Sequence, residues 1–402
     1  MSKLDELIQQ YCPDGVEYKP VKEVYHRLRG TPITAAKMKE IESTDGDVRI
    51  FAGGKTVIDA YEEDIPNANI TRVPAVLVQS RGVIDAVYYE RPFTFKNEMW
   101  AYTHENKTAV KFLYYVLKNN MGKFREAASG MGSLPQISLK ITEDFEMPVP
   151  PLEVQREIVR ILDNFTELTA ELTAELTARK KQYEFYREKL LSEEIGASTE
   201  WKTIGEISSF RRGSFPQPYG NKEWYDGDGA MPFVQVADIG ENMRLVEDTK
   251  RKISVVAQPK SVFAPKGSIV ISLQGSIGRI AVTQYDAYID RTVAIFKDIS
   301  SVVLSQYFVY QLQRVFSIKE KIARGSTIKT ITKEEFTSFQ IPIPSIDEQC
   351  RIVSILDRFD TLCNDLTSGL PAEIEARTKQ YEYYRDKLLT FKESTNGQKE
   401  TL

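Results

Sequence analysis

Two stretches of the chain carry apolar residues at the spacing of an amphipathic helix. In residues 152–192 they recur at steps of three and four, among them Ile158, Leu162, Phe165 and Leu172, which places them on one helical face. Residues 346–366 repeat the pattern in similar phase. A helix over 152–192 is about 60 Å long at about 1.5 Å per residue. The pattern therefore predicts a long helical spacer that is too long to fold within one small domain.

The sequence contains an internal repeat. Residues 148–165 recur as residues 342–359, and residues 179–191 recur as residues 377–389. The second copy gains four residues between these blocks, about one helical turn, so we expect its helical face to be nearly preserved. A weaker repeat relates Glu17-Tyr18-Lys19 to Glu200-Trp201-Lys202. The order is therefore globular domain, helical segment, globular domain, helical segment.

The globular stretches combine strand and helix signals. Apolar runs at 74–78 and 267–273, bounded by Gly and Pro, predict strands, whereas residues 111–117 and 305–312 predict helices. We expect an α+β fold in which two globular domains are separated by two long antiparallel helices that pack as a coiled coil. The predicted domains are residues 1–147 and 198–341, the helical spacers are 148–197 and 342–392, and residues 393–402 form a polar tail.

Composition and charge narrow the class of protein. No apolar run in the 402 residues reaches the about 18 residues of a membrane span, and the first residues lack the apolar core of a signal peptide, so we expect a cytoplasmic protein. The net charge of −4 is unusual for a nucleic-acid-binding protein. The charge is uneven, because residues 198–341 hold 19 Lys and Arg against 15 Asp and Glu.

Motifs for catalysis and metal binding are incomplete. Gly53-Gly54-Lys55-Thr56 resembles the end of a phosphate-binding loop, but Arg49 stands where the first glycine is required. Asp14 and Glu17 are too close in sequence to converge on a Mg²⁺ ion as in a nuclease. The three cysteines form no Cys-x-x-Cys pair, and the two histidines form no zinc motif. We expect no catalytic centre, metal or cofactor in this chain, and a stand-alone nuclease is the third-ranked interpretation.

The repeated helical blocks resemble the two central repeats of the specificity subunits of type I restriction-modification systems, with the IC subclass as the closest match. The resemblance rests on Pro-x-Pro…Gln-x-x-Ile-Val-x-Ile-Leu-Asp-x-Phe, on Lys-Gln-Tyr-x-x-Tyr-Arg-x-Lys-Leu-Leu and on the Thr-Ala-Glu-Leu repeats of the first helical segment. It extends over essentially the whole chain, although the globular domains match loosely. It implies a non-catalytic subunit with two target recognition domains, each of which recognises half of a bipartite DNA site in the major groove.

The resemblance also implies partners and cofactors outside this chain. Two modification subunits, which carry S-adenosylmethionine and methylate adenine, would bind the helices, and restriction subunits that use ATP and Mg²⁺ would join them. A helix of about 60 Å matches about 18 base pairs, and one more Thr-Ala-Glu-Leu unit adds about 6 Å, which should change the gap between half-sites. A two-domain scaffold that holds partners without contacting bases is the alternative.

Candidate contact residues follow from side-chain chemistry. Base edges are typically contacted by Arg, Lys, Gln and Asn from loops, and the candidates are Lys55, Gln79, Arg81, Lys96 and Arg125 in the first domain and Arg211, Arg212, Gln235, Gln274, Arg279, Arg291, Arg324 and Lys329 in the second. Aromatic residues are enriched at protein interfaces, so the candidates for partner binding are Tyr183, Phe185, Tyr186, Tyr381, Tyr383 and Tyr384. Packing between the two helices is the equally weighted alternative for these aromatic residues.

Overall fold

The computed structural model describes residues 2–54, 56–129, 134–192, 199–240, 242–274, 277–323, 333–365 and 367–394. The chain folds into two compact units, one of residues 1–172 and 374–402 and the other of residues 173–373. Each unit therefore combines one globular domain with helical residues from both copies of the repeat.

The first globular domain mixes short strands with helices, as its sequence predicts. Asn106 caps the helix after the central strands by accepting a hydrogen bond from the amide of Thr108, which satisfies a free N–H of the first turn. The elements are α1 (Lys3–Tyr11), β1 (Tyr18–Pro20), α2 (Val21–Val24), β2 (His26–Leu28), α3 (Ala35–Ile41), β3 (Val48–Phe51), β4 (Val57–Ala60), β5 (Ala75–Gln79), β6 (Asp85–Tyr89), β7 (Phe93–Phe95), β8 (Trp100–Thr103), α4 (Lys107–Asn119), α5 (Met121–Glu126), α6 (Leu139–Glu143) and β9 (Glu146–Pro148).

The long predicted helix, α7 (Leu152–Leu191), follows the first domain and leads into the second. The second domain has a similar succession of elements: β10 (Glu200–Thr203), α8 (Ile204–Ile207), β11 (Ser209–Arg212), β12 (Met231–Val234), β13 (Lys252–Ile253), β14 (Val262–Ala264), β15 (Ile269–Ser272), β16 (Ile280–Val282), β17 (Ala287–Ile289), β18 (Val293–Lys297), α9 (Ser305–Ala323), α10 (Lys333–Thr337) and β19 (Gln340–Ile343). The strands predicted at 74–78 and 267–273 and the helices predicted at 111–117 and 305–312 are confirmed as β5, β15, α4 and α9.

The two domains share one topology. A four-stranded sheet has the order β2-β8-β5-β6 in the first domain and β11-β18-β15-β16 in the second. A second sheet contains a parallel pair in each domain, β3 with β7 and β12 with β17. The short ribbons at the helical segments have the same register, because Tyr18 lies opposite Pro148 and Trp201 lies opposite Pro342. The weak sequence repeat that relates Tyr18 to Trp201 is thus a repeat of structure.

The second helical segment is divided into α11 (Ile346–Asn364) and α12 (Leu370–Leu388). In the first unit, α12 packs on the first half of α7. In the second unit, α11 packs on the second half of α7. The four extra residues of the second copy fall at the break. There the Asp365 carboxylate accepts hydrogen bonds from the Thr367 amide at 2.7 Å and the Ser368 hydroxyl at 2.8 Å, and Pro371 lies in the first turn of α12, where its missing N–H costs little.

Aromatic ring contacts join the helices at equivalent positions in both units. In the first unit, the Phe165 ring of α7 lies 5.6 Å from Tyr384 and 6.4 Å from Tyr381 of α12. In the second unit, the Phe359 ring of α11 lies 5.8 Å from Tyr186 and 6.0 Å from Tyr183 of α7. Each phenylalanine comes from one copy of the repeat and its two tyrosines come from the other.

Each globular domain is fixed to its helix by a tyrosine–aspartate hydrogen bond. The Tyr115 hydroxyl of α4 donates to Asp163 of α7 at 2.5 Å, and the Tyr310 hydroxyl of α9 donates to Asp357 of α11 at 2.7 Å. Apolar residues of the same helices continue each core, for example Ile158 in the first unit and Ile352 in the second, which are both 0% exposed. No helix within the described ranges combines the length and apolar character that a membrane span requires.

Candidate nucleic-acid interface

In each domain, a glycine that follows the first strand of the four-stranded sheet, β2 or β11, allows the backbone there to lie directly against another backbone segment. A β-carbon added at Gly30 lies 2.0 Å from the Phe95 carbonyl oxygen, and one added at Gly213 lies 2.2 Å from that of Asp290. Both distances are too short for any other residue. The residues before these glycines, Arg29 and Arg212, are exposed. The fold therefore presents an arginine next to this contact in each domain.

In the second domain, three cations lie over three aromatic rings of one apolar cluster. The guanidinium carbon of Arg251 is 4.6 Å from the centre of the Tyr225 ring, and that of Arg291 is 5.5 Å from the centre of the Tyr219 ring. The Lys260 ammonium is 4.8 Å from the Trp224 ring. We call these six residues the aromatic–cation cluster. A cation over a ring face gains electrostatic stabilisation from the ring quadrupole.

Backbone and side-chain hydrogen bonds hold the rings of the cluster. The Trp224 indole N–H donates to the Pro218 carbonyl at 3.2 Å, and the Tyr225 hydroxyl donates to the Tyr219 carbonyl at 2.8 Å. Phe215 packs among them, with its ring centre 4.8 Å from that of Tyr219 and 5.1 Å from that of Tyr225. The aromatic rings are therefore fixed supports for exposed, long cationic side chains.

The Tyr219 hydroxyl joins two candidate residues of the sequence analysis. It lies 3.0 Å from Asp290 Oδ1 and accepts a hydrogen bond from the Gln235 side-chain amide at 2.7 Å, while Arg291 covers its ring. Asp290 is 3% exposed, and it also accepts from the Thr292 hydroxyl at 2.7 Å. Burial, followed by the negative charge of Asp290, raises the pKa of Tyr219 to about 12. Tyr219 therefore stays protonated at neutral pH and connects Gln235 and Arg291.

The cations of the two domains differ in their partners. In the described part of the second domain, no carboxylate pairs with Arg211, Arg212, Arg279 or the three cations of the aromatic–cation cluster. In the first domain many cations are neutralised by carboxylates within the fold: the pairs include Lys22–Asp144, Arg27–Glu143, Arg49–Asp59, Arg72–Glu62, Lys96–Glu98, Lys111–Asp163 and Lys118–Asp85. Unneutralised cations, together with the excess of basic residues, make the second domain the more strongly attractive to a polyanion.

In the first domain, the glycine loop lies beside two candidate cations. The Gly54 amide donates to the Arg81 carbonyl at 3.2 Å, and the exposed Arg81 side chain follows β5. Lys96 lies 2.9 Å from Glu98 Oε1. Burial opposes ionisation of Glu98, but hydrogen bonds from Lys96 and nearby amides lower its pKa overall. A cavity of about 530 Å³ borders this loop and includes Gly53, Lys96 and Glu98.

One candidate of the first domain is largely buried. Gln79 ends β5 and is only 6% exposed, because every position of that central strand is buried, so it is the weakest candidate of this domain. Arg125 is exposed but its Nε donates to the Ile84 carbonyl at 3.3 Å, which holds it against the β5–β6 turn.

The remaining second-domain candidates lie in separate places. Arg211 and Arg212 are exposed on β11, and Gln274 is half-buried after β15. Arg279 is half-buried, and its guanidinium donates to the Ile239 carbonyl at 3.3 Å, close to the turn that begins after Gln235. Three candidates, Lys55, Arg324 and Lys329, lie outside the described residues.

The aromatic partner candidates divide into stacked and exposed residues. Tyr183 is 7% exposed and stacks on Phe359, which favours the helix-packing alternative for its ring. Tyr384 and Tyr186 also stack on phenylalanines, and Tyr381 contacts Phe165 with a tilted ring, as the helix-packing alternative requires. Phe185 and Tyr383, which occupy equivalent positions of the repeat, are 62% and 63% exposed. These two residues, which the helix pairing does not cover, stay candidates for partner binding.

Sequence reasoning missed Arg29, Arg251, Lys260 and the tyrosines beneath the cations. Arg29 could be found from the weak repeat, since it precedes Gly30 as Arg212 precedes Gly213. The aromatic–cation cluster gave no periodic signal, because its members come from four separate connections between strands. No group of three His, Cys, Asp or Glu side chains in the described ranges is arranged to hold a metal ion.

Comparison with known proteins identifies the family. The sequence model of the type I restriction modification DNA specificity domain matches residues 13–179 and again residues 198–376. The chain is 34% identical over 412 residues to the type I restriction enzyme EcoR124I/EcoR124II specificity subunit of Escherichia coli, with 97% of each chain covered. It is also 34% identical to a protein of Haemophilus influenzae assigned to the type I restriction enzyme specificity subunits, over 94% of this chain and 96% of the relative.

The fold agrees with solved structures. The type I restriction-modification system S subunit from M. genitalium superposes with a TM-score of 0.61 at 16% identity, over 93% of this chain and 96% of that one. At this identity the likeness concerns the fold alone. The DNA-specificity interpretation is thus supported over the two-domain scaffold, and the chain belongs to the specificity subunits of type I restriction-modification systems, which recognise DNA sequence.

Proposed function

We propose that this chain recognises a bipartite DNA site, with one half-site contacted by each globular domain, and that it supplies no catalytic group. The observation that carries the proposal is the repeated architecture: each unit has the same strand order, the same ribbon register and the same glycine contact. Two copies of one fold with different surface residues are suited to two different half-sites.

The charge distribution supports contacts to DNA. Exposed cations without a carboxylate partner can replace counterions on phosphates, which dominates affinity for DNA. Arg251 and Lys260 supply such charges on fixed rings in the second domain, and Arg29 and Arg81 supply them in the first. The many internal ion pairs of the first domain favour the second domain as the tighter electrostatic contact.

We also propose two equivalent partner sites on the helices. Phe185 and Tyr383 are equivalent in the repeat, are almost equally exposed, and each lies edge-on to a neighbouring tyrosine at 5.4 Å. One surface that occurs twice is suited to two copies of one partner, here two modification subunits. They would supply S-adenosylmethionine for adenine methylation, and restriction subunits with ATP and Mg²⁺ would join the complex. We propose the cytoplasm as the place where this complex acts.

Selection from a randomised DNA library tests this function. The chain in complex with its modification subunits should enrich two short sequence blocks at a fixed spacing, and the modification subunits alone should enrich none. The scaffold alternative predicts that selection enriches the same DNA sequences with and without the chain.

The salt dependence of the affinity for DNA tests whether the unpaired cations of the second domain contact phosphates. The double variant Arg251→Ala/Lys260→Ala should lower the slope of log affinity against log salt by up to about two, because about one counterion is released per phosphate contact. The matched control Lys37→Ala/Lys202→Ala removes two lysines that already pair with Glu40 and Glu200. An equal change of slope in both variants contradicts the role of the unpaired cations.

A further inference from the structure

The hydrogen bonds around Tyr219 have a fixed direction. The Tyr219 O–H donates to Asp290 Oδ1, which lies 3.0 Å away. The lone pairs of the phenolic oxygen are then left to accept from Gln235, whose Nε2 lies 2.7 Å away. The buried Asp290 thereby determines which end of the Gln235 amide faces Tyr219.

This direction leaves Gln235 with one N–H that Tyr219 does not use and with its carbonyl oxygen, which also accepts from the Asp238 amide in a capping box and has a second lone pair. A glutamine contacts adenine through a donor to N7 and an acceptor from the N6 amino group. The second N–H and the carbonyl oxygen of Gln235 form such a donor–acceptor pair. A glutamine side chain without a partner can present its amide in either of two flipped orientations, whereas the bond to Tyr219 permits only the orientation with Nε2 next to the hydroxyl.

The same ring carries Arg291. A guanidinium stacked on an aromatic face keeps its N–H groups in its own plane, so the edge that contacts guanine O6 and N7 stays available. Arg291 is exposed, and no carboxylate pairs with it in the described part of the domain. Its neighbours are fixed, because Asp290 binds the Thr292 hydroxyl and the Asp290 amide donates to the Val234 carbonyl at 2.9 Å.

We propose that Tyr219 is a positioning residue that sets Gln235 and Arg291 side by side as a base-recognition pair, with Gln235 directed to an adenine and Arg291 to a guanine in one half-site. The inference rests on the proposed function and adds the residues and the base types of the second domain. Tyr219 acts by ordering the other two side chains through its hydroxyl and its ring.

The phenol and the ring can be tested separately. Tyr219→Phe keeps the ring under Arg291 and removes both hydroxyl hydrogen bonds. Preference at one adenine position of one half-site should fall about tenfold, since a bidentate contact discriminates between bases by at least about that factor, while the guanine preference stays. Gln235→Ala should relax the same position. Arg291→Lys keeps the charge but loses the two-point contact, so it should relax the guanine position alone.

Library selection with the complex of chain and modification subunits gives the preference at each base pair. Tyr285→Phe is the matched control, because it also removes a phenol hydroxyl of the second domain, one that donates to the Val246 carbonyl. We expect the control to retain every preference. Thermal unfolding of each variant tests whether it folds. If Tyr219→Phe does not fold, Gln235→Glu takes its place, because this change removes the N–H donor to Tyr219 and keeps the size of the side chain.

Three outcomes overturn the inference: unchanged preferences in Tyr219→Phe, an equal loss at every position, or relaxation by Gln235→Ala at a position that Tyr219→Phe leaves intact. Failure of the proposed function has a different signature, because the unaltered complex would then select no second half-site at all.

Discussion

The hydrogen bond between Tyr310 and Asp357 should contribute measurably to the attachment of α9 to α11. Tyr310 is 1% exposed and its hydroxyl lies 2.7 Å from the carboxylate. Tyr310→Phe removes only this oxygen, so the packing of the ring is retained. The equivalent change in the first unit, Tyr115→Phe, removes the bond to Asp163.

The structure predicts different costs for the two changes. A hydrogen bond to a charged group contributes about 1.5–3 kcal/mol to stability. Because water can rehydrate the exposed Asp357 after the change, we expect Tyr310→Phe to lower the free energy of unfolding by about 1.5 kcal/mol, the lower end of this range. Asp163 keeps a second partner, Lys111, at 2.9 Å. Its carboxylate is therefore less destabilised by the loss, and Tyr115→Phe should cost about 1 kcal/mol.

Hydrogen exchange of the α4 and α9 amides measures each unit separately. In Tyr310→Phe, protection of α9 should fall about tenfold, as about 1.5 kcal/mol implies for local opening, with α4 unchanged. Tyr115→Phe should affect α4 alone, by a smaller factor. Tyr383→Phe is the control, because its ring is 63% exposed. Unchanged α9 protection in Tyr310→Phe, or equal changes in both helices, refutes the reasoning.

Three further predictions concern the break between α11 and α12, the glycine contact and the partner surface. Hydrogen bonds from Thr367 and Ser368 lower the pKa of Asp365 from 3.8 to about 2. The ionised Asp365 carboxylate therefore stabilises the fold fully above pH 3.8, and this stabilisation is lost as the pH falls through about 2. A carboxyl NMR titration with a midpoint near 3.8 contradicts this prediction. Gly213→Ala should destabilise the second unit by at least about 3 kcal/mol in urea unfolding, since a β-carbon would lie 2.2 Å from the Asp290 carbonyl oxygen, whereas Gly220→Ala, with no atom within 4 Å of the added carbon, should be tolerated. Phe185→Ala and Tyr383→Ala should each leave the free energy of unfolding within about 0.5 kcal/mol and weaken binding of one modification subunit at least about tenfold; calorimetry that finds two full-affinity sites in the double variant excludes this surface.

The helices and the repeat were predictable from the sequence because they rest on periodicity. The spacing of Ile158, Leu162 and Phe165 is a property of consecutive turns, and α7 spans Leu152–Leu191 as that spacing predicts. The break before α12 was not expected, since a four-residue insertion preserves the helical face. Gly369 and Pro371 carried the signal, because both disfavour a helix interior.

Side-chain environments were less accessible to sequence reasoning. Gln79 has the residue type of a base contact, but it lies in a strand that is buried on both faces. Tyr183 has the residue type of an interface, but its ring is covered by Phe359. Tyr219 could not be recognised, because its role arises from Gln235, Asp290 and Arg291, which are brought together only by the parallel pairing of β12 with β17.

Mapping of methylated adenines in cellular DNA tests the central claim most directly. Cells that carry the chain with its modification partner should show a bipartite motif with a fixed gap, and that motif should vanish when the chain is deleted. Exchange of residues 198–341 for the second domain of a related chain should replace one half of the motif and leave the other intact. A methylation pattern that is unchanged by the deletion, or an exchange that alters both halves together, would contradict the claim that each globular domain recognises its own half-site.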